Sequence, residues 1–252
     1  IMVPCRVAPD AFAVAVAGLA ALGCRGASVT TPHKAAALAV ATSVSARAAR
    51  IGAANCLRFV DPAPGASAAD RNAPVILADN TDAPGLVAAL GLHWQRPMRG
   101  VRVAILGAGG AAAAAEVGLS DAGAEVTVVA RTPSKVRWDA DRSVRVCAWQ
   151  PSAIESLFAD TELVIDATSS ALLAADEQAM VDRLPLRALP STAVVMSMTY
   201  HRASRLMIAA RERGLVTLDG GEMLVQQAVC ALRWWLGLEP DAAAMRAALA
   251  AS

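Results

Sequence analysis

The chain has 252 residues, with 23 Lys+Arg against 22 Asp+Glu and a formal net charge of +1; this argues against a nucleic-acid partner, which calls for a strong basic surplus. Hydrophobic residues reach 56%, yet no apolar stretch runs far enough without Gly, Pro or charge to cross a bilayer, and Ile1-Met2-Val3-Pro4-Cys5 has neither the basic start nor the apolar core of a signal peptide. Cys5, Cys24, Cys56, Cys147 and Cys230 are scattered and odd in number, and His33, His93 and His201 lack ligand spacing, so reduced thiols in a cytoplasmic protein are expected, with no disulfide frame and no metal.

The length allows two modest domains or one large one. Ala11 to Leu22 reads as a helix, Gly23 to Gly26 as a turn and Ala27 to Val29 as a short strand. Lys34 to Ala41 and Ser43 to Arg50 read as helices, and Asn55 to Val60 as a strand. Asp61 to Pro74 is an irregular Pro-, Ala- and Asp-rich loop, Val75 to Leu77 a strand, Ala83 to Leu92 a helix and Gln95 to Gly100 a linker.

Two polar clusters follow strands here, Thr30-Thr31-Pro32-His33-Lys34 and Asp79-Asn80-Thr81-Asp82. A lysine in a helix's first turn is electrostatically unfavourable, which suggests a use for Lys34, although helix starts also carry stray lysines. Asp82 alone reads as an N-cap. Together the clusters sit where open α/β sheets place ligands. A ketone-reducing enzyme needs a group facing the developing alkoxide and a partner to hold and tune that group, and Lys34 and Asp82 would serve.

Val101 to Leu106 feeds directly into Gly107-Ala108-Gly109-Gly110-Ala111-Ala112, followed by an alanine-rich segment and the β-like run Glu125 to Val129. That is the order and spacing of a dinucleotide-binding βαβ unit. Gly107 permits the tight turn, Gly109 lets the backbone approach a pyrophosphate, and Ala112 lets the helix pack closely on its strand, with the helix N-terminus facing the phosphates. An NAD site would end the second strand with Asp or Glu. Here the chain continues Ala130-Arg131-Thr132-Pro133-Ser134-Lys135. Arg131 supplies a fork of donors for a 2′-phosphate, with Thr132 and Lys135 beside it, and so points to NADP.

Strand-like runs continue at Val144 to Ala148, Glu162 to Ile165, Ala193 to Met196 and Leu215 to Leu218, completing a roughly six-stranded doubly wound sheet. Gly221 to Leu236 and Asp241 to Ala250 read as two final helices. The expected fold is α/β: a smaller N-terminal substrate-binding domain over 1–94, a Rossmann parallel-sheet NADP domain over 100–220, and C-terminal helices over 221–252 packing back on the first domain. A cleft between the domains would hold the active site.

The chain resembles the shikimate dehydrogenase family. The resemblance rests on Ser28 to Lys34, Ile51 to Cys56, Asp79 to Gly85, Gly107 to Ala111, Arg131-Thr132, Asp166-Ala167-Thr168-Ser169 and Gly220 to Ala228, in family order over nearly the whole chain. It implies a catalytic Lys34–Asp82 pair and shikimate contacts from Thr30, Asn55 and Gln227. It implies NADP contacts from Gly107, Ala108, Gly109, Gly110, Ala111, Arg131, Thr132, Thr168 and Gly220. The implied reaction is reversible reduction of 3-dehydroshikimate by NADPH, in aromatic amino-acid biosynthesis, by a monomer or homodimer with no membrane partner.

The chain departs from the family pattern in four places. No Ser-x-Ser precedes Thr30, so a preceding segment carrying the first strand and the carboxylate-binding serines is expected. Ser28 stands where the family has Asn, and the Asp61 to Pro74 loop is long. Where the family has Tyr-x-Pro-x-x-Thr, the chain reads Thr199-Tyr200-His201-Arg202-Ala203-Ser204. A one-residue slip puts Tyr200, the sole tyrosine, in the substrate-binding place. These departures keep open a paralogue acting on quinate or aminoshikimate, with NAD as a further option, and a nucleotide-binding module without catalysis.

Overall fold

The computed structural model describes residues 1–61, 75–94, 96–136, 144–168, 174–200 and 202–251, with the side chains of Lys135 and residues 174–176 also left aside. All but the first residue of the expected Asp61 to Pro74 loop, as well as Ser169 and His201, lies outside the described residues. The chain divides into two compact units, Ile1–Thr81 with Cys230–Pro240, and Asp82–Val229 with Asp241–Ser252.

The first unit carries α1 (Phe12–Ala21), β1 (Gly26–Ser28), α2 (Ala36–Ala39), β2 (Ser43–Val44), α3 (Ala46–Ile51), β3 (Cys56–Val60) and β4 (Val75–Asp79). The sheet order is β1-β3-β4-β2, with β3 antiparallel to both β1 and β4 and β2 parallel to β4. Phe12, Val16, Leu57, Phe59, Ile76 and Ala78 form its core. Two local readings change. Ser43 to Arg50 is not one helix: Ser43 and Val44 pair with Leu77 and Ala78, and Ser45 then caps α3 by accepting the Ala48 N–H at 3.1 Å. Lys34 does not open a helix but sits in the turn before the four-residue α2. Helix-end electrostatics therefore says little about it.

The second unit begins with α4 (Asp82–Trp94). It continues through β5 (Arg102–Leu106), α5 (Gly110–Asp121), β6 (Glu125–Ala130), β7 (Arg145–Ala148), α6 (Pro151–Phe158) and β8 (Leu163–Asp166). It ends with α7 (Ala174–Val181), β9 (Val194–Ser197), α8 (Arg205–Glu212), β10 (Val216–Leu218), the first part of α9 (Gly221–Leu236, of which 230–236 belong to the first unit) and α10 (Ala242–Ala250). The strands form one parallel sheet in the order β10-β9-β8-β5-β6-β7, so direction of winding switches between β5 and β8. That is the doubly wound order that presents ligands at the carboxyl ends of its strands. Apolar side chains cover both faces, Ile105, Val128 and Leu163 on one and Leu106, Phe158 and Val195 on the other.

Small residues set how close the helices come. Ala112, Ala113, Ala114 and Ala115 of α5 are fully buried, and a Cβ on Gly118 would lie 2.8 Å from the Ala83 carbonyl oxygen of α4. At the C-terminus, Trp235 donates its indole N–H to the Leu57 carbonyl at 2.7 Å within the first unit. In the second unit Arg246 of α10 grips Glu222 of α9 through two nitrogens, at 2.7 and 2.8 Å.

Candidate active site

In the first unit, hydrogen bonds join three polar segments that are far apart in sequence. The His33 ring stacks on Phe12 with centroids 4.7 Å apart, and its Nε2 meets the Val7 carbonyl at 3.0 Å, which anchors the turn on α1. The backbone N–H of His33 returns to the Thr30 carbonyl at 2.9 Å, and the Lys34 carbonyl accepts the Ala54 N–H at 2.8 Å. The half-buried Lys34 is thus fixed at its backbone, while Thr30 is exposed.

Asn55 is 4% exposed and works as a two-way clamp. Its Oδ1 accepts the Thr81 N–H at 2.7 Å, and its Nδ2 donates to the Thr81 hydroxyl at 3.0 Å. Asn80 adds a bond from its Nδ2 to the Ala53 carbonyl at 3.0 Å. Asp79, also buried, accepts Ser45 Oγ at 2.6 Å and Arg47 Nη2 at 2.5 Å. The buried side chains of Asn55, Asp79, Asn80 and Thr81 each have a partner, as burial demands. The effect is to fix Thr81, the residue immediately before Asp82.

Asp82 is itself the first residue of α4 and is buried. One turn on, a Cβ at Gly85 would lie 2.7 Å from both the backbone nitrogen and the Cβ of Gln227. The helix that starts with Asp82 therefore lies directly against the segment of α9 that carries Gln227. The Gln227 amide donates to the Leu224 carbonyl at 3.0 Å.

The remaining candidates gather at the carboxyl ends of the parallel strands. Gly107 follows β5 with φ +115°, and a Cβ there would lie 2.8 Å from the Ala167 carbonyl oxygen. Gly109 is extended, with φ −88° and ψ −175°, and a Cβ on it would meet nothing within 4 Å. Ala108, Gly109 and Gly110 are exposed, and α5 starts with no side chain capping its N–H groups. The open turn and bare helix start fit a pyrophosphate. Arg131 and Thr132 are exposed just past β6, and Lys135 ends the short 3₁₀ turn Pro133–Lys135. Thr168 lies after β8, where its N–H and hydroxyl both bond Asp166.

After β9, the Thr199 and Ser197 hydroxyls are 2.8 Å apart, and Tyr200 is 39% exposed. Gly220 donates its N–H to the Thr199 carbonyl at 2.8 Å, and a Cβ on it would lie 2.6 Å from the Met198 carbonyl oxygen. Among the described residues, no group of three or more His, Cys, Asp or Glu could hold a metal ion, and no helix is long and apolar enough to cross a membrane.

Family models match in three places: the shikimate dehydrogenase substrate binding domain over residues 1–57, a putative NAD(P)-binding domain over 96–185, and the shikimate 5′-dehydrogenase C-terminal domain over 220–250. Shikimate dehydrogenase (NADP(+)) of Synechocystis sp. is 34% identical over 96% of this chain and 82% of its own length. The chain belongs to the shikimate dehydrogenase family. The Acidiphilium cryptum enzyme of the same name is 38% identical over 94% of this chain and 80% of its own length. A crystal structure of shikimate 5-dehydrogenase from Thermus thermophilus in complex with NADP(H) and shikimate aligns with a TM-score of 0.76 and 28% identity, covering 97% of this chain and 85% of that one.

Sequence reasoning missed several residues that shape this candidate site. The Arg47–Asp79 ion pair joins positions whose separation gave no hint of contact. Asn80 and Thr81 were legible only as part of a polar run. Asp166 stood inside a motif without a task. A buried acid at the end of an apolar strand is the signal that could have singled it out.

Proposed function

We infer that this chain is an NADP-dependent oxidoreductase that reversibly reduces 3-dehydroshikimate to shikimate, with Lys34 and Asp82 at the reacting carbonyl. The observation that carries the reading is the clamped trio of segments Thr30–Lys34, Ala53–Asn55 and Asp79–Thr81. Backbone hydrogen bonds hold the turn at Lys34, and the buried side chain of Asn55 holds the backbone just before Asp82. The named relatives align with this chain over 82% and 80% of their own length.

NADPH, when bound, supplies the hydride. The residues suited to hold it are Gly107, Ala108, Gly109, Gly110 and Ala111 at the pyrophosphate, Arg131, Thr132 and Lys135 at the 2′-phosphate, and Thr168 and Gly220 along the strand ends. The open space over Gly109 and the exposed Arg131 support this assignment. A ketone that accepts hydride becomes an alkoxide. In this reading the Lys34 ammonium stabilises that charge, with the Asp82 carboxylate as the second member of the catalytic pair. Thr30, Asn55, Gln227 and Tyr200 supply polar groups for the ring substituents. The protein acts in the cytoplasm, as a monomer or homodimer.

The test is NADPH oxidation by the purified protein with 3-dehydroshikimate and 3-dehydroquinate in parallel, repeated with NADH. Turnover with NADPH and 3-dehydroshikimate is expected. Preference for 3-dehydroquinate would overturn the substrate, and no turnover with either ketone would overturn the enzyme.

A further inference from the structure

The end of β8 holds a buried acid that the chemistry above leaves unused. Asp166 is 6% exposed. Its Oδ1 accepts the Thr168 N–H at 3.1 Å and the Thr168 hydroxyl at 2.5 Å. Ser204, at the start of α8, is a polar neighbour of the same carboxyl group. Ser204 is also buried and caps α8 by accepting the Met207 N–H at 3.2 Å. The strands beside β8 face Asp166 with neutral residues, Leu106 of β5 and Ser197 of β9. The charged neighbour is Glu177 of α7, which accepts Arg202 Nη1 at 2.9 Å and the Arg205 N–H at 2.7 Å. The Asp166 carboxylate therefore fixes the segment after β8, which carries Thr168, while Glu177 holds the end of the segment between β9 and α8 through Arg202 and the Arg205 N–H.

We propose that Asp166 is a positioning residue for the reductase reaction, its carboxylate setting Thr168 toward the nicotinamide cofactor. The proposal rests on the reading of this chain as an NADP-dependent reductase with Thr168 at the cofactor. Burying a charge is costly, and no ion pair to Asp166 offsets that cost among the described residues. Its use lies in acceptor strength: a carboxylate draws both Thr168 donors onto one oxygen more strongly than a neutral amide can.

Burial, and to a lesser degree the Glu177 charge, pushes the Asp166 carboxyl above the ordinary Asp range, against the opposing bonds from Thr168. In the window between the ordinary value and the raised one, the folded state binds the proton more tightly than the unfolded chain does. Across that window stability falls as pH rises, while the grip on Thr168 tightens. Stability and cofactor binding thus run in opposite directions with pH, which a merely structural residue would not produce.

The experiment compares the wild-type protein with Asp166→Asn and Asp166→Ala. It measures NADPH Kd by fluorescence titration, kcat and KM for 3-dehydroshikimate, and Tm, each from mildly acidic to neutral pH. Asp166→Ala should weaken NADPH roughly tenfold, the worth of one charge-assisted hydrogen bond. Asp166→Asn should recover part of that loss and bind NADPH without the wild-type dependence on pH, at a neutral-pH Tm no lower than wild type. Wild-type Kd in both variants, or a loss confined to Tm, overturns the proposal. A wild-type protein that neither binds NADPH nor reduces 3-dehydroshikimate overturns the functional reading, and the proposal with it.

Discussion

Replacing Gly85 with alanine separates two effects of opposite sign. In a solvated helix Gly→Ala gains about 0.5–1 kcal/mol. At Gly85 the new methyl would sit 2.7 Å from the backbone nitrogen and Cβ of Gln227, where ordinary contact begins at 3.4 Å. Backbone cannot swing aside, so α4 and α9 must part by several tenths of an ångström. Overpacking of this kind costs about 1–3 kcal/mol and outweighs the propensity gain. A net loss of about 1–2 kcal/mol lowers Tm by roughly 2–8 °C in a chain of this size. The shift falls between the helix start bearing Asp82 and the turn bearing Gln227, and displacements approaching 1 Å cost up to about 10² in rate. kcat/KM should therefore fall roughly ten- to a hundredfold. Gly91 is the control: it lies in the same helix, is exposed, and its Cβ would meet nothing within 4 Å. Gly91→Ala should raise Tm slightly and leave activity unchanged. Thermal melts with NADPH-coupled kinetics on both variants decide the matter. If Gly85→Ala melts like Gly91→Ala and keeps wild-type kcat/KM, the argument from close approach is wrong.

Lys34→Ala should lower kcat by roughly 10³-fold with Tm and NADPH affinity unchanged, and Asp82→Asn by less, because an amide keeps a hydrogen bond while losing charge; steady-state kinetics showing near-normal turnover for Lys34→Ala would remove its role. Arg131→Ala should weaken NADPH by one to two powers of ten, from about 1.5–3 kcal/mol of charge-assisted bonding, with NADH unaltered by titration. Tyr200→Phe should raise KM for shikimate more than it lowers kcat, and the reverse split in initial-rate kinetics would move Tyr200 away from ground-state binding. The Arg246 guanidinium bonded to Glu222 holds that carboxyl below the usual Glu range. This stabilisation is present above the ordinary Glu value and is lost as pH falls through the lowered one. Arg246→Met should therefore flatten the acid limb of a pH–Tm curve, and an unchanged limb would refute it.

The nucleotide-binding half was legible because its signals are local. An apolar run, a glycine turn and a second apolar run state strand, turn and strand without reference to anything distant, and a parallel sheet buried on both faces reads as continuous hydrophobic strands. The first unit was less legible. A strand of two residues, Ser43–Val44, carries no period, so it merged with the helix capped by Ser45. The turn holding Lys34 was read as helix because alanine-rich sequence favours helix wherever tertiary bonds do not prevent it. Here the Lys34 carbonyl is taken by Ala54. The clamp between Asn55 and Thr81 and the contact of Gly85 with Gln227 join residues far apart in sequence. Their types suggested function, but only the fold shows what they touch.

The two glycines of the β5–α5 turn answer to different constraints. Gly107 has a backbone angle that side chains rarely adopt and faces the Ala167 carbonyl, so the folded chain itself forbids a replacement. Gly109 is extended, with open space where a Cβ would go, and nothing among the described residues restricts it. Only a bound phosphate would. In lineages descended from this chain, the two positions would then record different histories. A descendant that gave up its dinucleotide would let Gly109 drift while Gly107 stayed fixed, so the pair reports whether the cofactor is still in use.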